Sequence, residues 1–211
     1  MVVTFGPDWD TAFNASPYSL RFSLSDDADP GYVAMFTLAY DRARALFEDV
    51  FADSSKVFAV IAAAPAVFED PIGRAKYADL SEDGFKALTL MGLAEREVLH
   101  EWLAWPFWGE PECDDVLWRH RVLDVTGDRA ARDLMLWSNL AQDLGVRPVA
   151  PAHCRFVDPQ RGILLNAYDD RGMDVVALDL ATLADFRVRR DAWVLDYDRD
   201  RIAQVFGALA G

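Results

Sequence analysis

The sequence predicts an α+β fold: a mixed, mainly antiparallel sheet with a C-terminal β-meander and packed amphipathic helices, in one domain over residues 1–211. Two observations carry this. Strand-like runs at residues 154–157, 162–168 and 173–178 are separated only by tight turns at 158–162 and 169–172. Parallel neighbours would need a longer crossover, so these runs form an antiparallel meander. Residues 32–51 and 128–144 carry apolar side chains at three- and four-residue spacing, the pattern of helices that bury one face. No repeat, heptad series or linker divides the chain.

The elements follow in order. Residues 18–24 alternate Leu20, Phe22 and Leu24 against Ser19, Arg21 and Ser23, the period of a half-buried strand. Acidic turn formers at 25–31 then suit the positive end of a following helix. Over 32–51, Phe36, Ala39, Ala43, Leu46, Phe47 and Val50 form the apolar face of a long helix. Residues 57–62 are continuously apolar and partly β-branched, which predicts a central strand covered on both faces and ended by Pro65. A connector with Pro71 and Gly73 leads to a helix opened by Ser81-Glu82-Asp83 and running over 85–103 on Leu88, Met91, Leu99 and Trp102. Residues 105–111, with two prolines, break it. A strand over 116–125 precedes the helix at 128–144, which has Asp128 at its start and Gly145 after its last apolar residue. After the meander come a short helix at 180–186, the segment Trp193-Val194-Leu195, and a last helix from near Asp198 on Ile202, Val205, Phe206 and Leu209.

Composition narrows the functional classes. The chain has 35 acidic and 21 basic residues, a net charge of −14. Such a surface repels phosphate backbones and anionic lipid, so neither nucleic acid nor a membrane is an expected partner. With 52% hydrophobic residues a sizeable core can form, which excludes low-hydrophobicity disorder. Two cysteines, Cys113 and Cys154, are too few for a disulfide framework and lack metal-knuckle spacing, so a reducing cytoplasmic setting is expected. The start Met1-Val2-Val3-Thr4 has no basic n-region, so no secretory signal is expected. The apolar stretch at 57–68 is 12 residues, short of the about 20 that a helical span needs.

The most distinctive segment is Tyr168-Asp169-Asp170-Arg171-Gly172-Met173-Asp174, followed by Trp193-Val194-Leu195-Asp196-Tyr197. Together these resemble a bacterial domain family of unknown function whose C-terminal signature reads YDDRGMD and then a Trp-Ile-Leu-Asp-Tyr-like run. The segments around Leu20-Arg21-Phe22 and Tyr40-Asp41-Arg42-Ala43 also look like that family's start, so the likeness extends over most of the chain. It brings no activity and no cofactor with it. As chemistry, the motif has two readings. In one, Tyr168, Gly172, Trp193 and Asp196 are structural, with Gly172 taking a positive φ and Asp169 and Asp170 binding backbone amides of a hairpin turn. In the other, Asp169, Asp170, Arg171 and Asp174 converge into a charged binding or hydrolytic site at one sheet end. Arg171 beside the carboxylates argues against a metal.

Other constellations are weaker. His100-Glu101-x-x-Ala104 lacks the second histidine of a zinc protease. Cys154 and His153 are adjacent and would face opposite sides of a strand, so a general base would have to come from elsewhere, His120 being one candidate, and a buried structural cysteine is the plainer reading. Phosphate-binding glycine loops and the hydrolase Gly-x-Ser-x-Gly elbow are absent. The basic run Arg187-Val188-Arg189-Arg190 reads as a solvated face. Trp102, Trp105, Phe107 and Trp108 crowd around Pro106, and a broken helix end cannot hide every ring, so Trp105 and Trp108 are candidate binding anchors. The expected role is thus a non-enzymatic interaction protein of the toxin-immunity type with a basic protein partner, with an enzyme at the 168–174 turn or a structural or regulatory domain as alternatives.

Overall fold

The computed structural model describes residues 3–26, 31–63, 84–93, 96–105 and 117–207. Strands β1 (Ser19–Ser23), β2 (Phe58–Ala63), β3 (His100–Ala104), β4 (Trp118–Asp124), β5 (Ala152–Asp158), β6 (Ile163–Ala167) and β7 (Gly172–Ala177) form one sheet, ordered β1-β7-β6-β5-β2-β4-β3. The α+β expectation and the β5–β6–β7 meander hold. The sheet is less mixed than expected, because every pairing among the described strands is antiparallel. β2 lies between β4 and β5, antiparallel to both, and its continuous apolar run is buried on both faces, as a central strand requires.

One face packs against helices. In β1, Leu20 and Phe22 are fully buried, each worth about 1.5–3 kcal/mol of burial. They join Ala59, Ile61, Cys154, Phe156, Leu165 and Val175 in a core closed by α2 (Tyr32–Val50) and α4 (Arg129–Leu144). The apolar positions expected on the first of these helices, Phe36 through Val50, are the ones it buries. The other helix starts and stops at its sequence signals. Asp128 accepts from the Ala131 amide, which holds the Asp128 carboxyl below the usual range, and Gly145 is left-handed at the C-cap.

The opposite face is covered by an element the sequence reading missed. The N-terminal segment and its single helical turn α1 (Thr11–Asn14) lay Trp9 and Phe13 over Val60, Val122, Val157 and Leu164. A second difference is larger. The helix expected over 85–103 is only α3 (Gly84–Leu88), which runs into a widened turn at Thr89–Leu93. Gly92 sits there at φ 90, which breaks the helical path. His100, Trp102 and Ala104 then alternate with Glu101 and Leu103 as edge strand β3, so the helical spacing of Leu99 and Trp102 was coincidental. Beyond the meander lie α5 (Ala181–Arg189) and α6 (Arg199–Gly207). Asp27, Asp29, Pro65, Pro71, Gly73, the 81–83 helix start, Phe107, Trp108, Cys113 and Leu209 lie outside the described residues.

Candidate functional site

The 168–174 signature builds a clamped hairpin between β6 and β7. Asp169 Oδ1 accepts from the backbone amides of Arg171 (2.8 Å) and Gly172 (3.2 Å), and its Oδ2 accepts from Arg171 Nε at 2.9 Å and from Nη2. Asp158 closes the preceding turn in the same way, on the amides of Gln160 (2.8 Å) and Arg161 (3.0 Å). Gly172 is needed for a different reason from the expected one. It does not have a positive φ; a Cβ there would lie 1.9 Å from the Tyr168 hydroxyl, because the Tyr168 ring crosses over it. Asp169 and Arg171 pair with each other, and Asp174 pairs with a different arginine. Asp170 is buried, while Asp174 is gripped across the strand pair by Arg21, Nε to Oδ1 at 2.7 Å and Nη2 to Oδ2 at 3.0 Å.

The second half of the signature guards the β1 edge. Val194 bridges to Phe22 and the Leu195 amide donates to the Arg21 carbonyl, which covers part of an otherwise open strand. Trp193 is flanked by the guanidiniums of Arg190 (4.5 Å) and Arg42 (5.6 Å). Asp196, largely exposed, pairs with Arg199, which also holds the Asp191 and Val194 carbonyls. The basic run at 187–190 is therefore not simply solvated, since Arg190 also pairs with Asp49 at 2.5 Å and Arg187 lies over Phe206.

Polar groups that the sequence reading did not connect gather on the face beneath the N-terminal segment. Arg155, nearly buried, reaches Asp10 Oδ2 from Nη1 at 2.7 Å, and burial lowers its pKa. His153 Nε2 lies 2.8 Å from Asn166 Oδ1, the geometry of an Nε2–H donating to the amide oxygen. Beyond β2, His120 Nε2 donates to the Trp105 carbonyl at 3.1 Å, with the Trp102 ring stacked on it at 5.4 Å. Burial pushes both histidines down to about 4, so each is neutral at pH 7. Cys154 faces the helical core instead, where burial pushes its thiol far up, so it is no nucleophile beside either histidine. On that helical side Asn139, fully buried in α4, enters the sheet where the β5–β6 pairing stops. Its Nδ2 donates to the carbonyls of Cys154 and Ala167, both at 2.8 Å, and its Oδ1 accepts from the Cys154 amide at 2.9 Å. No one-dimensional signal marked Asn139 or the Asp10–Arg155 pair, whose partners lie far apart in the chain.

Where the N-terminal segment meets the β3–β4 end of the sheet there is a cleft of about 470 Å³. Trp9, Trp102 and Trp105 supply aromatic wall, Asp8 and Asp10 the carboxylates, and His120 lines it as well. The predicted anchor Trp105 thus stands at this cleft with its ring partly exposed. Its companion Trp108 lies outside the described residues. Among the described residues, no group of three or more His, Cys, Asp or Glu side chains could hold a metal ion, and no helix is long and apolar enough to cross a membrane.

No curated protein and no solved structure matches the chain. A family model does, over residues 2–198, nearly its whole length. The chain belongs to the family described as Domain of unknown function (DUF3885).

Proposed function

We propose that this protein is a non-enzymatic interaction module that docks a basic protein partner on the β3 end of its sheet, as a toxin-immunity inhibitor would. The observation that carries the reading is the distribution of exposed apolar side chains. Of the nine large hydrophobic residues exposed among the described residues, five, Val98, Leu99, Leu103, Trp105 and Leu117, lie on or beside β3. That strand ends the sheet, and no other described strand pairs with its outer edge. Proteins ordinarily blunt such an edge, so an apolar one marks a place where another chain adds or packs. The net charge of −14 attracts a basic partner to the molecule, and Trp105 is the kind of residue that anchors interfaces. The signature supports the same reading, since Asp169 and Arg171 are spent on the hairpin and Asp174 on Arg21 of β1. A bacterial cytoplasmic setting for this role rests on the YDDRGMD likeness and the scarcity of cysteine.

The test is co-expression with the product of the adjacent gene, scored by growth. The intact chain should restore growth against a toxic neighbour, and Leu103→Asp, which puts a charge on the exposed edge, should abolish protection while the purified variant still unfolds at the wild-type urea midpoint. Protection undiminished by Leu103→Asp, or a neighbour that neither harms cells nor binds, refutes the reading. Association should also slow as salt rises, because exposed charges act only over about a Debye length.

A further inference from the structure

The β3 end holds a cleft of specific composition. Trp9, Trp102 and Trp105 line it with Leu103 and Leu117, and both ionised groups on its wall, Asp8 and Asp10, are carboxylates; no lysine or arginine is among the described lining residues. Asp10 is balanced from behind by Arg155. Asp8, by contrast, is exposed and makes no ion pair among the described residues, so it leaves the cleft with negative charge. His120 adds no positive charge because it is neutral at pH 7. Indole faces attract cations, and a planar guanidinium both stacks on them and pairs with a carboxylate, which an ammonium does less well.

We propose that this cleft receives an arginine side chain of the basic partner, the guanidinium lying between the tryptophan rings and Asp8. The inference rests on the β3 docking reading and names the group on the partner that reads this site. An aliphatic anchor would waste the carboxylate, and an acidic one would be repelled by it. Leu103 and Trp105 are exposed and line the cleft, so one partner segment can cover the edge and place its arginine in the cleft.

The experiment is an NMR titration of the full chain, following the indole N–H signals, with N-acetyl-arginine-methylamide as the probe and its neutral isostere N-acetyl-citrulline-methylamide as the control. The arginine probe should shift the Trp102 and Trp105 signals saturably, in the millimolar range expected of one side chain, and citrulline should bind about tenfold more weakly. Asp8→Asn, a surface change that leaves the fold intact, should weaken the arginine probe severalfold and leave citrulline alone. Equal binding of the two probes, indifference to Asp8→Asn, or no indole shift overturns the proposal. Its failure is separable from that of the docking reading. If an Asp8→Asn chain protects cells as well as the parent, docking stands and the arginine anchor falls; a saturable arginine response in a chain that protects against nothing gives the reverse.

Discussion

Asn139→Ala tests the joint between helix and sheet most sharply. The side chain is wholly buried and makes three hydrogen bonds, two as donor and one as acceptor, to the strands on either side of the point where their ladder stops. Truncation leaves one backbone amide and two carbonyls in a closed core. Each unsatisfied buried group costs about 1–3 kcal/mol, part of which the strands recover by closing on each other, so a loss of about 3–5 kcal/mol is expected. That is a large share of the 5–15 kcal/mol by which domains are typically stable. Urea unfolding followed by tryptophan fluorescence should show the midpoint falling with the slope unchanged, which marks a stability effect rather than a change in the exposed surface. Asn139→Asp should be at least as damaging, because a carboxylate cannot donate to the Cys154 and Ala167 carbonyls. A loss below about 1 kcal/mol for Asn139→Ala would refute the claim that this side chain replaces a rung of the sheet.

Three further outcomes follow from the geometry. The imidazoles of His120 and His153 titrate near 4 in the fold against 6.5 for a solvated histidine, so between those values the unfolded chain binds protons that the native one does not. Stability should therefore fall on acidification through this window, by up to about 1.4 kcal/mol per pH unit for each histidine, and a urea midpoint flat between pH 6.5 and 5 would contradict it. Asp10→Ala takes the paired carboxylate from the buried Arg155 Nη1 and should cost about 3–5 kcal/mol by the same urea assay, whereas the double change to Asp10→Ala with Arg155→Met should recover most of it. Gly172→Ala should displace the Tyr168 ring at a cost of about 1–3 kcal/mol; if Tyr168→Ala does not relieve that cost, the close approach is not the reason for the glycine.

What could be seen in the sequence was whatever depends on near neighbours. The apolar periodicity of the long helix at 32–50, the caps at Asp128 and Gly145, and the meander with its short turns all come from forces acting within a few residues. The Asp169 clamp belongs to that class, and turn chemistry anticipated it. Edge strand β3 was misread because its apolar residues happen to satisfy a helical spacing, and nothing local reveals that β4 will pair beside it. The face under the N-terminal segment was invisible for a deeper reason. Asp10 and Arg155 are 145 positions apart, and Arg21 and Asp174 are 153 apart, so their pairing exists only after the sheet has brought distant strands together. Trp105 stood out by its type and crowding, but the cleft beside it needed Pro7–Asn14 to come across the sheet.

The β1–β7 pairing sets the order in which this molecule can be completed. Leu20 and Phe22 leave the ribosome well before their neighbours in the sheet, Val175 and Met173. Trp9 and Phe13 likewise wait for Val157 and Leu164. The nascent chain must therefore carry these two apolar segments uncovered until the meander has been made, and closing the sheet is a non-local step of the kind that makes β-rich topologies slow. In a cell this protein's yield should thus depend on chaperone capacity more steeply than its finished stability alone would imply.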